Sequence, residues 1–249
     1  MNLRDFLKKH KVEILIFALA LLARLVLFFV NAHAADWDFD KSIHGQDGYY
    51  EVARNIDEGK GFSIDGTRPS PIHVPVFPYF LASSLFLFDS LIPAALLLIV
   101  IGSAVPILGR RLALKLVGSQ RISLFVGVAL ALEPSFLLFS TIFYTEILFI
   151  FIFLSFILVF IEYIERKTSL LAFVSGAVLG IAALTKVAVE FLPILLIPFA
   201  WLSLRKSLSG RDLAKHAALF LLAFFAVLSP WMIRNDRVFG APGLTVLPT

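Results

Sequence analysis

The chain has 249 residues, 59% of them hydrophobic and only 16% charged, with 26 Phe, a formal net charge of +4 and a sequence pI of about 9.4. Soluble domains carry about a quarter charged residues, and apolar stretches recur here at the length of spanning helices, so the pattern reads as an all-α polytopic membrane protein and excludes a soluble fold. The absence of cysteine excludes a disulfide framework, a thiolate zinc cluster and a thiol nucleophile, and the placement of the basic residues accounts for the charge without a nucleic-acid partner.

The N-terminal MNLRDFLKKHK, an apolar run and A-H-A before Ala35 imitate a cleavable secretory signal. The run from Val12 to Val30 is longer than a typical signal core and contains Arg24, which favours an uncleaved first span over about 12–31. Arg4, Lys8, Lys9 and Lys11 precede that span. In the external loop, residues 32–74, Asp36, Asp38, Asp40, Asp47, Glu51, Asp57, Glu58 and Asp65 outnumber Lys41, Arg54, Lys60 and Arg68. The positive-inside rule therefore puts the N-terminus in the cytoplasm and the loop outside.

PVFPYFLASSLFLF is short for a span and ends at Asp89. It reads as a helix over 75–88 lying in the outer interface, with Pro75 and Pro78 in its first turn, where proline is tolerated. Spans follow at about 91–109, 121–142, 145–164, 169–184, 188–204 and 214–232. The basic groups Arg110, Arg111, Lys115, Arg121, Arg166, Lys167, Arg205, Lys206, Arg211 and Lys215 then fall inside. This gives about seven spans and an external C-terminus. The series Ala172, Gly176, Gly180 suits close helix packing. Arg24 and Glu133 lie within spans and are placed to pair with each other.

Ionisable groups gather at the external ends of these spans, where a charge at membrane depth usually faces a cavity or a partner. In GQDGYYEVARNIDEGKGFS, residues 45–63, Tyr49, Val52, Ala53 and Ile56 form one apolar stripe at helical spacing. Gly59 and Gly61 suit the helix stop. Asp47 reads either as the helix cap or as a site residue. Alternatives also stand for FYTE, LTK and WMIRN. Glu146 is an acid of a first helical turn or a site group, and Lys186 pairs with Glu190 four residues on or faces a ligand. Arg234 anchors its span at the headgroups, with Trp231 and Arg237 as interface residues, or binds an anion. D-W-D-F-D, residues 36–40, imitates a D-x-D metal motif, although an acidic loop explains it more simply; no cofactor is indicated for certain, and a divalent metal is possible but not favoured.

D-G-Y-Y-x-x-A-R-N-I-x-x-G-x-G-F from Asp47, then R-P-S-P-I-H-V-P-V-F-P-Y-F-L-A from Arg68, resemble the first external loop of the protein O-mannosyltransferase-like and lipid A aminoarabinose transferase-like families. These are type C membrane glycosyltransferases (glycosyltransferase family 39-like). The stretches S-x-x-F-Y-T-E, L-T-K and P-W-M-I-R-N resemble the same group in order and spacing, so the likeness covers the chain from its first span to about residue 240. It implies an inverting glycosyltransferase that uses a sugar on a polyprenyl phosphate, acting on a protein, lipid or glycan acceptor at the outer face of a bacterial-type inner membrane or the equivalent lumenal face. Asp47 and Glu146 would be the catalytic acids. Lys186, Arg234 and His73 would face the donor phosphate, although H-V-P here departs from the usual P-P at His73.

Residues 1–249 read as a single membrane-embedded module, surrounded by membrane lipids, whose relatives generally continue into further spans and a soluble domain. A C-terminal portion or a partner subunit is therefore expected as one alternative. A non-catalytic lipid-phosphate carrier or flippase component is the other, and it would need Lys186 and Arg234 but not Asp47.

Overall fold

A computed structural model of the protein describes residues 10–45 and 47–246. Arg4, Lys8 and Lys9 of the basic tail lie outside the described residues. Among those described there is no β-strand, only an isolated bridge between Ser63 and Pro69. Five helical segments are long and apolar enough to cross a membrane: Lys11–Ala34, Ile92–Val117, Glu146–Arg166, Val187–Leu204 and Gly210–Phe239. A sixth forms if the bent pair Gln120–Leu132 and Pro134–Thr141 counts as one. Their outward faces carry large exposed apolar side chains such as Leu22, Phe125, Phe191 and Leu195, as a lipid-facing surface requires. The protein is an all-helical integral membrane protein.

Helix α1 (Lys11–Ala34) runs to the acidic loop, where α2 (Phe39–Ile43) and α3 (Tyr49–Asp57) sit. Helix α4 (Val76–Phe88) begins where the Val76 amide donates to the Leu184 carbonyl. It ends against α5 (Ile92–Val117), where the Ala94 amide donates to Ser84 Oγ. Both ends of α4 therefore lie at the same end of the bundle. Thirteen residues rise about 20 Å, too short for a 30 Å hydrocarbon core, and Phe86, Leu87 and Phe88 are exposed. A short helix therefore stands where the sequence reading put one, at 75–88.

Helices α6 (Gln120–Leu132) and α7 (Pro134–Thr141) meet at a 48° bend. Proline supplies no amide to the helix ladder, and the Glu133 carboxylate caps the new start by accepting from the Phe136 amide at 2.6 Å. The break leaves the Ala131 carbonyl without its helical partner, and the Arg24 guanidinium donates to it at 3.2 Å. Arg24 also donates to the Ala20 carbonyl and to Ser140 Oγ. The expected Arg24–Glu133 pair is thus replaced by two separate tasks at one break, because a freed carbonyl and a freed amide each need a partner.

Helix α8 (Glu146–Arg166) is followed by α9 (Ser169–Ala183), a 3₁₀ turn (Val187–Val189), α10 (Pro193–Leu204) and α11 (Gly210–Phe239). At 15 residues, α9 is the shortest of the later apolar helices that join the two ends apart from α10, which extends its own segment through the 3₁₀ turn. A side chain on Gly176 would come within 2.1 Å of the Phe220 carbonyl oxygen, and one on Gly180 within 2.9 Å of Val227 Cβ. The small-residue series therefore lets α9 and α11 touch along their backbones, as small residues do between membrane helices.

Two apolar cores result. One gathers Phe28, Ile43, Phe77, Leu98 and Phe143; the other gathers Phe156, Leu179, Phe220, Phe224 and Trp231. Ile56, Val76 and Ile152 pack against both. Two of these three belong to the segments flanking the 58–75 loop, so the loop lies over the seam between the cores.

Candidate functional site

The seam opens into a cleft of about 330 Å³ lined by Asp47, Tyr49, Ile72, His73, Val74, Thr145, Glu146, Lys186 and Val187. Four of the five residues singled out in the sequence line it: Asp47, His73, Glu146 and Lys186. The fifth, Arg234, lies outside the lining.

Glycines on either side bring Asp47 to the cleft. At Gly45 a side chain would lie 2.0 Å from the Phe143 carbonyl oxygen, so only glycine lets this strand of loop pass against the 143–146 turn. The Phe143 amide donates to the Ile43 carbonyl at 2.9 Å and fixes that crossing. Gly48 sits in the left-handed region at φ 78° and is the residue that caps α3. Asp47 therefore does not cap: the α3 N-terminus has no side-chain cap bond, and the Asp47 carboxylate is left facing the cleft. The cap alternative raised by the sequence is corrected on this point.

Lys186 follows the end of α9, and Glu146 is the first residue of α8. Their side chains meet at 2.6 Å across 40 residues of sequence. Lys186 therefore does not pair with Glu190, which instead lines a neighbouring groove. The 3₁₀ turn after Lys186 swings Glu190 off the face that a continuous helix would have shared with it.

Partial withdrawal from water pushes the Asp47 carboxyl up to about 6, and the nearby Glu146 charge adds to this; Lys186 and the Asp47 amide oppose it. Lys186 is paired with Glu146 at 2.6 Å and acts on Asp47 only through its charge, so the Asp47 carboxylate is the less compensated of the two. The Tyr49 phenol is pushed up to about 12, first by burial and then by the Asp47 and Glu146 charges. It lies in hydrogen-bonding contact with Thr145, and its ring meets those of His73 and Phe77 edge-on at 4.7 and 5.4 Å.

His73 is buried, and both its ring nitrogens are engaged. Nε2 donates to the Asp47 carbonyl at 2.7 Å, since a carbonyl can only accept, and Nδ1 accepts from the Ser70 hydroxyl at 2.7 Å. Arg234 donates to the Ser70 carbonyl at 3.2 Å and to Asn235 Oδ1 at 2.7 Å. Its guanidinium lies over the rings of Phe62, Trp231 and Phe239 at 5.4, 4.7 and 5.1 Å. Trp231, expected at the headgroups, is buried and donates to the Leu244 carbonyl.

Tyr49, Thr145 and Ser70 join the cleft or its support without having been singled out. Tyr49 was assigned to the apolar stripe, which it also serves. Ser70 has no sequence signal beyond its spacing of three from His73. Asp38 of the D-x-D stretch caps α2 by accepting from the Lys41 amide, and among the described residues no three His, Cys, Asp or Glu side chains come together as metal ligands.

Beside the cleft lies an apolar groove of about 690 Å³ between α10 and α11, closed by residues 242–245. Val187 lines the cleft and Glu190 the groove, so a single 3₁₀ turn separates a charged compartment from a greasy one. Comparison with family models, with curated proteins and with solved structures returned no match.

Proposed function

We propose that this protein is a membrane-embedded glycosyltransferase of seven spans that moves a sugar from a polyprenyl phosphate to an acceptor hydroxyl, with inversion. The count takes α9 and the bent α6–α7 pair as one span each. Lys11, Arg110, Arg111, Lys115, Arg166, Lys167 and Lys215 then mark the cytoplasmic face, and the cleft opens on the outer or lumenal face. One observation carries the reading. Asp47, Glu146 and Lys186, from three distant parts of the chain, line one polar cleft immediately beside an apolar groove.

That pairing of compartments fits a donor with a phosphate at one end and a long hydrocarbon at the other. The tail takes the α10–α11 groove, and Lys186 faces the phosphate. The acceptor hydroxyl gives its proton to Asp47 as its oxygen attacks the anomeric carbon. The bond from that carbon to the phosphate oxygen breaks, and the electron pair leaves with the polyprenyl phosphate. A base with a pKa near 6 is ionised at neutral pH yet basic enough to accept the proton as the hydroxyl oxygen bonds to carbon. Lys186 offsets the charge growing on the departing phosphate, and Glu146 keeps the ammonium in place between turnovers.

The test is transfer by purified protein in lipid nanodiscs given a panel of radiolabelled polyprenyl-phosphate sugars and candidate acceptors. Labelled product from the wild type and none from Asp47→Asn is the expected result. Donor binding that survives in both proteins, with no product from either across the panel, would leave a lipid-phosphate carrier as the better description.

A further inference from the structure

Arg234 and His73 are polar groups at this end of the bundle that the transfer chemistry above leaves unused; both ring nitrogens of His73 are engaged by protein, and Arg234 donates two bonds through Nη1. Arg234 is enclosed by three aromatic rings, a setting in which a guanidinium is held by its faces as well as its edges. Its donated bond reaches the carbonyl of Ser70, across 164 residues of sequence. The Ser70 hydroxyl donates to His73 Nδ1, and His73 Nε2 donates to the Asp47 carbonyl. Four residues thus form an unbroken chain from the end of α11 to the backbone of the base.

The segment after α11 grips the same loop. Asn235 donates through Nδ2 to the Gly243 and Leu244 carbonyls, and the Val246 amide donates to the Pro71 carbonyl at 2.8 Å. Residues 70–73 are therefore held from one side by α11 and from the other by the strand of chain that follows it. The anchored object at the far end is a short segment with a left-handed Gly48 and no side-chain cap.

We propose that Arg234, Ser70 and His73 are positioning residues: they set the Asp47 backbone in the cleft and do not touch the donor phosphate. This rests on Asp47 being the base, and it replaces the role in phosphate binding that the family resemblance implies for His73 and Arg234. A positioning bond acts on the rate of the reacting complex, whereas a phosphate contact acts on donor binding as well. Misplacing a reacting group by about 1 Å costs on the order of 10²-fold.

Two measurements on the full chain in nanodiscs separate these roles. The first is hydrogen exchange of the 47–50 amides by mass spectrometry, which needs no activity. Ser70→Ala and His73→Ala raise exchange there, whereas His73→Gln, whose amide nitrogen can still donate to the Asp47 carbonyl, leaves it near the wild-type level. The second is steady-state transfer: His73→Ala lowers kcat by about 10- to 100-fold with little change in donor KM, and His73→Gln recovers most of the loss. Unchanged exchange at 47–50 in both alanine variants would overturn the proposal, as would a raised donor KM at unchanged kcat. Because Ser70→Ala removes only a hydroxyl, it keeps the exchange measurement decisive should His73→Ala fail to fold. If the wild type transfers no sugar, the exchange result still decides whether the chain holds Asp47, so failure of the transferase reading and failure of this inference are distinguishable.

Discussion

The two ends of the bundle both carry ion pairs, and they use them in opposite ways. At the basic end, Lys115 meets Glu162 and Glu165, Arg166 meets Glu162, and Arg110 meets Glu13 at 2.6 Å while its second nitrogen donates to Gln120. These pairs tie α1, α5, α6 and α8 together around matched charges. At the loop end, Glu146 holds Lys186 at 2.6 Å in the wall of an open cleft that Asp47 also lines without an ion pair of its own among the described residues, and the proton affinity of Asp47 rises. Matched charge stitches helices; an acid in excess beside a cavity is available for proton transfer.

Four substitutions probe that contrast. Asp47→Asn keeps the shape of the side chain and removes its basicity, so transfer falls by about 10²- to 10⁴-fold, the range general base catalysis supplies; radiolabelled product formation reads it. Next in size is Lys186→Met, which removes the ammonium that lines the cleft and takes the ion-pair partner from Glu146. Transfer falls by about 10²-fold through loss of charge stabilisation on the leaving phosphate, and the same assay shows it. Gly176→Leu sets a side chain against the Phe220 carbonyl at the α9–α11 crossing. Stability falls by about 1–3 kcal/mol, as a lower thermal midpoint in detergent shows, with the acid–base behaviour of the surviving folded protein intact. Least of all, Lys115→Ala breaks exposed pairs at the basic end and leaves transfer unchanged with a slightly lower midpoint. A Lys115 variant as inactive as the Lys186 variant would erase the distinction between the ends.

The helices were legible because a membrane imposes its own arithmetic: long apolar runs, charge parity between loops and short turns. That arithmetic marked a helix at 75–88 too short to span and the close packing at Gly176 and Gly180. It missed the internal break at Glu133–Pro134, because the apolar run continues through it and only the freed carbonyl of Ala131 shows what Arg24 is for. It also bears on the span count only by charge, since α9 is too short to be recognised as a span by its own length.

The cleft was partly legible. Glu146 and Lys186 are ionisable groups at the ends of apolar runs, where such a chain has few, whereas Asp47 is one of eight acids in its loop and only the family resemblance singles it out. Their mutual arrangement depends on Gly45 passing against Phe143 and on a 3₁₀ turn after Lys186, neither of which has a sequence signature at that range. Trp231 and Arg237 made Arg234 look like a headgroup anchor, and the family resemblance implied a phosphate ligand. In the fold Trp231 and Phe239, with Phe62 from far along the chain, lie around its guanidinium.

The most direct test of the account is the pH dependence of kcat/KM for transfer by the wild type and by Glu146→Gln. The folded-state pKa of Asp47 lies above its ordinary value, so the basic form is lost as pH falls through about 6. The predicted wild-type rate therefore drops on the acid side with a midpoint near 6. Glu146→Gln removes a neighbouring negative charge and frees Lys186 to act on Asp47, which moves that midpoint to lower pH. A midpoint that stays put or moves upward in Glu146→Gln would contradict the shared acidic cleft on which the account stands.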